Sequence, residues 1–83
     1  MASTVKVLDV QTNLATATNV GFAPLVRILN SGAAALVTQK NSEGDVIATF
    51  TMNANEVIYL RKDARDTLEG GAAFLVVKVA FNW

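Results

Sequence analysis

The closing run from Ala73 to Trp83 alternates without a break. Leu75, Val77, Val79, Phe81 and Trp83 fall on one side, and Phe74, Val76, Lys78, Ala80 and Asn82 on the other. A two-residue period marks a strand, because successive side chains leave the pleat on opposite faces. Both faces are largely apolar, which predicts a strand that is central or covered on each side.

The same period recurs upstream. Val5 and Val7 alternate with Thr4 and Lys6, predicting a first strand over 4–10. Leu25–Asn30 and Ala34–Lys40 read as strands separated by the turn Asn30-Ser31-Gly32, where Asn and Gly tolerate the left-handed conformation. Asn41-Ser42-Glu43-Gly44 has the residue preferences of a tight hairpin turn. Pairing Asn41 with Asp45 places Leu36 opposite Phe50 and Thr38 opposite Ala48. One face of the hairpin then carries Leu36, Val46, Ala48, Phe50 and Met52, with Thr49 and Thr51 on the other. A further reversal at Asn53-Ala54-Asn55 returns the strand Glu56–Arg61 and brings Ile58 near Phe50. Asp66-Thr67-Leu68 reads as a brief strand within a polar stretch. The expected core is Leu36, Val46, Ala48, Phe50, Ile58, Leu60, Val77 and Val79. Pro24, the sole proline, stands at a loop-to-strand boundary where its missing N–H does least harm. The expected fold is all-β: a small antiparallel β-sandwich, or a partly open barrel, of six to seven short strands. It forms one domain over 1–83, with a long loop or arm at 11–24 that is ordered by, or reaches toward, a partner.

An 83-residue domain has a small core, and such domains often rely on disulfides, metals or association. The sequence contains neither Cys nor His, which excludes disulfides and removes the commonest metal ligands and general base. Association is the route left. Seven Lys and Arg balance seven Asp and Glu, so the basic excess of a nucleic-acid binder is missing. No apolar run approaches the ~20 residues of a membrane helix. Met1–Lys6 lacks the apolar core of a signal peptide, so the expectation is a protein not directed out of the cell that makes it.

Covalent or acid–base catalysis needs a nucleophile with a positioned base or paired carboxylates in a cleft. Three Ser and eight Thr without His or Cys form no usual triad, so no catalytic residue is assigned. Asp63, Asp66 and Glu69 have a spacing that suggests a carboxylate cluster for a hard cation, but the ordinary reading pairs them with Arg61, Lys62 and Arg65. Glu43 and Asp45 are explained by the hairpin they flank. Gly70-Gly71 precedes a strand and not a helix, which speaks against a phosphate cradle. No metal or cofactor is expected. The candidate interface residues are Phe22, an apolar side chain in a polar loop that either meets a partner or folds back over the core edge, Pro24, Tyr59, and the terminal Trp83, which either caps the core or enters an interface.

The run Val26–Ala34, followed by Ile47–Met52, Glu56–Lys62 and the closing Asp66-Thr67-Leu68 and Ala73–Phe81, resembles small virion proteins of tailed bacteriophages, nearest to those of marine cyanophages. The likeness covers most of the chain from Leu25 onward and is one of pattern, without a signature motif. It implies an all-β sandwich displayed many times on a particle. The role it implies is a capsid decoration (cement) protein bridging major capsid protein subunits, or else a tail, fibre or head-tail connector component. The corresponding place is the virion, assembled in the host cytoplasm. The partners expected are other virion proteins and further copies of the chain, with no nucleic acid and no membrane. A small glycan- or ligand-binding adhesion module is the alternative of another class, and the shortage of aromatic residues counts against it.

Overall fold

The computed structural model describes residues 4–82. Its regular elements are eight β-strands, all paired antiparallel: β1 (Thr4–Val7), β2 (Thr12–Leu14), β3 (Leu25–Asn30), β4 (Ala35–Lys40), β5 (Val46–Met52), β6 (Val57–Arg61), β7 (Thr67–Glu69) and β8 (Gly71–Asn82). They make a small β-sandwich. The larger sheet runs β1-β8-β3-β6, with β2 also on β8, and the smaller runs β5-β4-β7. The chain passes between sheets at 31–34, 53–56, 62–66 and Gly70.

The alternating run at the end of the chain is the central strand of the larger sheet. β3 pairs with β8 through Phe74–Lys78 on one edge. β2 and β1 share the other edge, through 71–76 and 79–82. Both faces of β8 are used. Phe74 and Val76 enter the core between the sheets with Leu14, Val26, Ile28, Val37, Met52 and Leu68. Val77 and Val79 are buried on the opposite face, beside Arg27 and Val7.

The expected hairpin forms, but its register does not hold along the strands. Asn41 N–H donates to Asp45 O at 2.9 Å and Gly44 N–H to Asn41 O at 3.0 Å, with Gly44 at φ 88. Lys40 then pairs with Val46 while Gln39 pairs with Ala48, so Ile47 has no residue opposite. This one-residue bulge shifts every later pair: Val37, not Leu36, stands opposite Phe50. A slip of one residue exchanges the faces of a strand. Val37 is therefore buried, whereas Leu36, Val46 and Ala48 are exposed, and Phe50, Ile58 and Leu60 are half-buried against the core. Only Val77 and Val79 of the expected core are fully buried, and they lie on the other face of β8.

The second reversal also leads elsewhere. β6 pairs with β3 in the larger sheet and not with β5. The cause is Asn30, fully buried at the end of β3. Its Nδ2 donates to Ala33 O at 3.0 Å and to Met52 O at 3.1 Å, and its Oδ1 accepts from Gly32 N–H at 3.0 Å. Its backbone N–H donates to Glu56 O at 3.0 Å and its carbonyl accepts from Asn55 N–H at 2.7 Å. The chain is thus taken up by β3 as it leaves the turn.

The segment 11–24, expected as a loop, contains β2 and three buried side chains, Leu14, Val20 and Ala23. The strand count accordingly rises from the expected six or seven to eight.

Two predictions follow from this packing. Val37→Ala should cost about 2 kcal/mol in denaturant unfolding, and Leu36→Ala should stay within about 0.5 kcal/mol of the parent; the opposite ranking would restore the register without a bulge. Asn30→Leu keeps the volume but leaves two carbonyls and one N–H without their partner. Its loss should reach at least about 2 kcal/mol, against less than about 1 kcal/mol for Ser31→Ala next door.

Candidate docking surface

Val20, Gly21 and Phe22 all have positive φ, at 56, 65 and 57. The glycine adopts this conformation freely, but a β-branched or aromatic residue does so at a cost of about 1–3 kcal/mol. The surroundings hold it there. Asn19 Oδ1 accepts from Phe22 N–H at 3.1 Å and Asn19 O from Ala23 N–H at 3.2 Å. Thr18 Oγ1 accepts from Val20 N–H at 3.1 Å, while the Thr18 backbone exchanges two hydrogen bonds with Leu68. Val20 and Ala23 are buried on either side, so the tip is fastened at both ends and Phe22 projects outward, 63% exposed.

Beneath the tip lies Lys62, only 6% exposed. Its ammonium donates to Asn19 O at 3.0 Å and Asp63 O at 3.2 Å, with Ala64 O at 3.5 Å. Burial pushes its pKa down from 10.5, partly offset by the charges of Asp66 and Asp63. A buried lysine with a lowered pKa can serve as a nucleophile. Here the ammonium is committed to backbone carbonyls, joining Asn19 at the base of the tip to Asp63 and Ala64 in its own turn. Lys78 Nζ reaches Gly21 O at 3.4 Å from the larger sheet.

The four residues singled out from sequence do not form one cluster. Pro24 is exposed two residues after Phe22, and its carbonyl accepts from Lys62 N–H at 3.0 Å. Tyr59, 44% exposed, sits on β6 in register with Arg27, which pairs with Val77. Strand parity puts Tyr59 on the outer face of the larger sheet, away from the tip. Trp83 lies outside the described residues. That outer face carries Val7, Leu29, Val57 and Leu75 with Tyr59, and the charged side chains placed on it by register are Arg27 and Arg61.

Other exposed apolar side chains were not anticipated: Leu8, Val10, Leu36, Val46, Ile47 and Val57. Asp9 was the available signal for the first two, since it breaks the alternation and its Oδ1 accepts from Val10 N–H at 2.8 Å. The carboxylates at 63–69 go to separate partners. Asp66 accepts from Gln39 Nε2 at 2.9 Å, Glu69 pairs with Lys40 at 2.9 Å, and Asp63 caps its own turn by accepting from Arg65 N–H at 3.0 Å. Asp63 and Asp66 also act on Lys62 through space, but Arg61 and Arg65 are not the ion-pair partners. Among the described residues no group of three or more Asp or Glu is placed to hold a metal ion.

Comparison with protein-family models, with curated proteins and with solved structures gives no match.

Lys62→Met removes the ammonium that gathers these carbonyls. The amides of Phe22 and Ala23 should lose hydrogen-exchange protection, with about 1–3 kcal/mol of stability lost at neutral pH. The pH dependence gives a second readout. Because the folded pKa is depressed, the unfolded chain holds the Lys62 proton at pH values where the folded chain has released it. Stability therefore rises with pH on the approach to 10.5, and the gap between parent and variant should widen there. A gap that narrows would show that burial does not dominate.

Proposed function

We propose that this protein is a non-enzymatic structural protein of a phage virion, a capsid decoration (cement) protein that stabilises the shell by bridging major capsid protein subunits. The observation that carries the reading is the tip at 20–22. Backbone strain is maintained there to hold an aromatic side chain in solvent, which has a use if a partner receives Phe22. A rigid anchor of this kind loses little conformational entropy on docking. The phage assignment rests on the resemblance of the chain from Leu25 onward to virion proteins. A β-sandwich without Cys or His suits repeated packing on a particle.

A standard interface covers about 800 Å² on each partner, roughly a sixth of the 4884 Å² that this chain exposes. Docked at ~100 times its dissociation constant, the domain would gain about 2.7 kcal/mol by mass action. The bound protein should accordingly melt above the free one. Phe22→Ala should reduce incorporation into particles at least about tenfold while leaving the melting of the free domain nearly unchanged. Copy number by quantitative mass spectrometry of purified particles checks the position: hundreds per particle place the protein on the shell, and a handful place it in the tail or connector. Full incorporation of the variant, with identical melting of free and bound protein, would overturn the docking role of Phe22.

A further inference from the structure

The sandwich has several open edges, and they differ in how they are protected. β2 and β7 have three residues each. The register of β2 is irregular, and the far edge of β7 is taken by the bridge from Thr18. β1 is four residues long and carries Lys6, and β6 ends in Arg61 and runs into the buried Lys62. Short length, irregularity and charge are the usual guards of a sheet edge. β5 lacks most of them. It is seven residues long, Val-Ile-Ala-Thr-Phe-Thr-Met, without charge or proline, and ends the smaller sheet. Its one guard, the bulge at Ile47, lies near its start and leaves Ala48–Met52 in regular pairing with β4.

We propose that β5 is a self-pairing edge: two copies of the chain join β5 to β5 antiparallel about Phe50, making one six-stranded sheet from two three-stranded ones. Antiparallel pairing about Phe50 uses the regular segment alone. It sets Phe50 against its counterpart, Ala48 opposite Met52, and Thr49 opposite Thr51. Phe50 and Met52 face the core side while Thr49 and Thr51 face outward, so both faces match across the junction. Phe50, half-buried in one copy, would be covered by the other.

A second copy is favoured over a foreign strand because the uncharged segment is complementary to itself about Phe50, small Ala48 meeting large Met52 and Thr49 meeting Thr51. The flanking carboxylates, Asp45 and Glu56, lie outside the paired segment, and Glu56 Oε1 is engaged by Asn53 N–H at 2.8 Å. The chain as a whole is neutral, so two copies approach without net repulsion. The contact is independent of Phe22 and of the virion reading, and its failure would leave them untouched.

The test uses Thr49 and Thr51, both exposed, so that substitution spares the fold. In the two-fold pair the contact between Thr49 and the other copy's Thr51 occurs twice, once from each copy. The double variant Thr49→Lys/Thr51→Lys places like charges at both contacts and should raise the dimer dissociation constant about tenfold. Thr49→Lys/Thr51→Glu places opposite charges there and should return the constant to within about threefold of the parent. Analytical ultracentrifugation over a concentration series reads both, with melting curves to confirm folding. A parent that stays monomeric at the highest concentration reached, or variants that dimerise equally, would overturn the proposal. So would an all-lysine variant that associates as the parent does while the mixed-charge variant does not.

Discussion

A buried amide ties the ends of two strands across the two sheets. Asn30 ends β3 in one sheet and donates to the carbonyl of Met52, which ends β5 in the other. A buried asparagine is tolerated only when its donors and acceptor are all engaged, and each of its side-chain polar atoms is. The same residue receives the chain as it leaves the turn after β5, through Asn55 N–H and Glu56 O. Asn30 thus stands at both crossings beside it: its side chain holds the turn from β3 to β4 and the end of β5, and its backbone takes up the chain on its way to β6. Those crossings decide that β6 adds to the larger sheet and leave β5 as a free edge of the smaller one.

The tip at 20–22 depends on that frame in turn. β6 is held against β3, and its end delivers Lys62 beneath the loop. The lysine is unfavourably buried, and the loop contains two side-chain-bearing residues at positive φ. Neither would persist in isolation. Together they are sustained by backbone carbonyls that need donors and by the burial of Val20 and Ala23. The result is a fixed connection in a stretch composed mostly of small and polar residues.

The possible contacts therefore occupy different parts of the molecule. Phe22 stands on a loop fixed from below, Tyr59 on the outer sheet face, and β5 along an edge. A small sandwich presenting separate surfaces can meet unlike neighbours at once, which is the geometry a bridging protein requires. Sharing one rigid core, these surfaces keep a constant spacing, because close-packed interiors do not deform continuously.

Local pattern in the sequence determined most of the strands, though not β2 or the end of β1 at Val7. The alternation in Leu25–Asn30 and Ala73–Phe81, and the turn chemistry of Asn41–Gly44, announce themselves because side-chain period and left-handed glycine are properties of neighbouring residues. Phe22 also stood out as an apolar residue among polar ones, but the sequence left open whether it folds back over the core edge or stands in solvent, and the fold decides for solvent. Three further features were decided only in the folded molecule. The bulge at Ile47 is one unpaired residue in an unbroken β pattern, yet it inverts the faces of β4 relative to β5. The partner of β6 depends on an asparagine 26 positions upstream of Glu56 in sequence and hydrogen-bonded to it in space. The order in 11–24 comes from Leu68, Lys62 and Gly70, all distant in sequence. Register and partner choice are settled by contacts distant in sequence, which a two-residue period cannot encode.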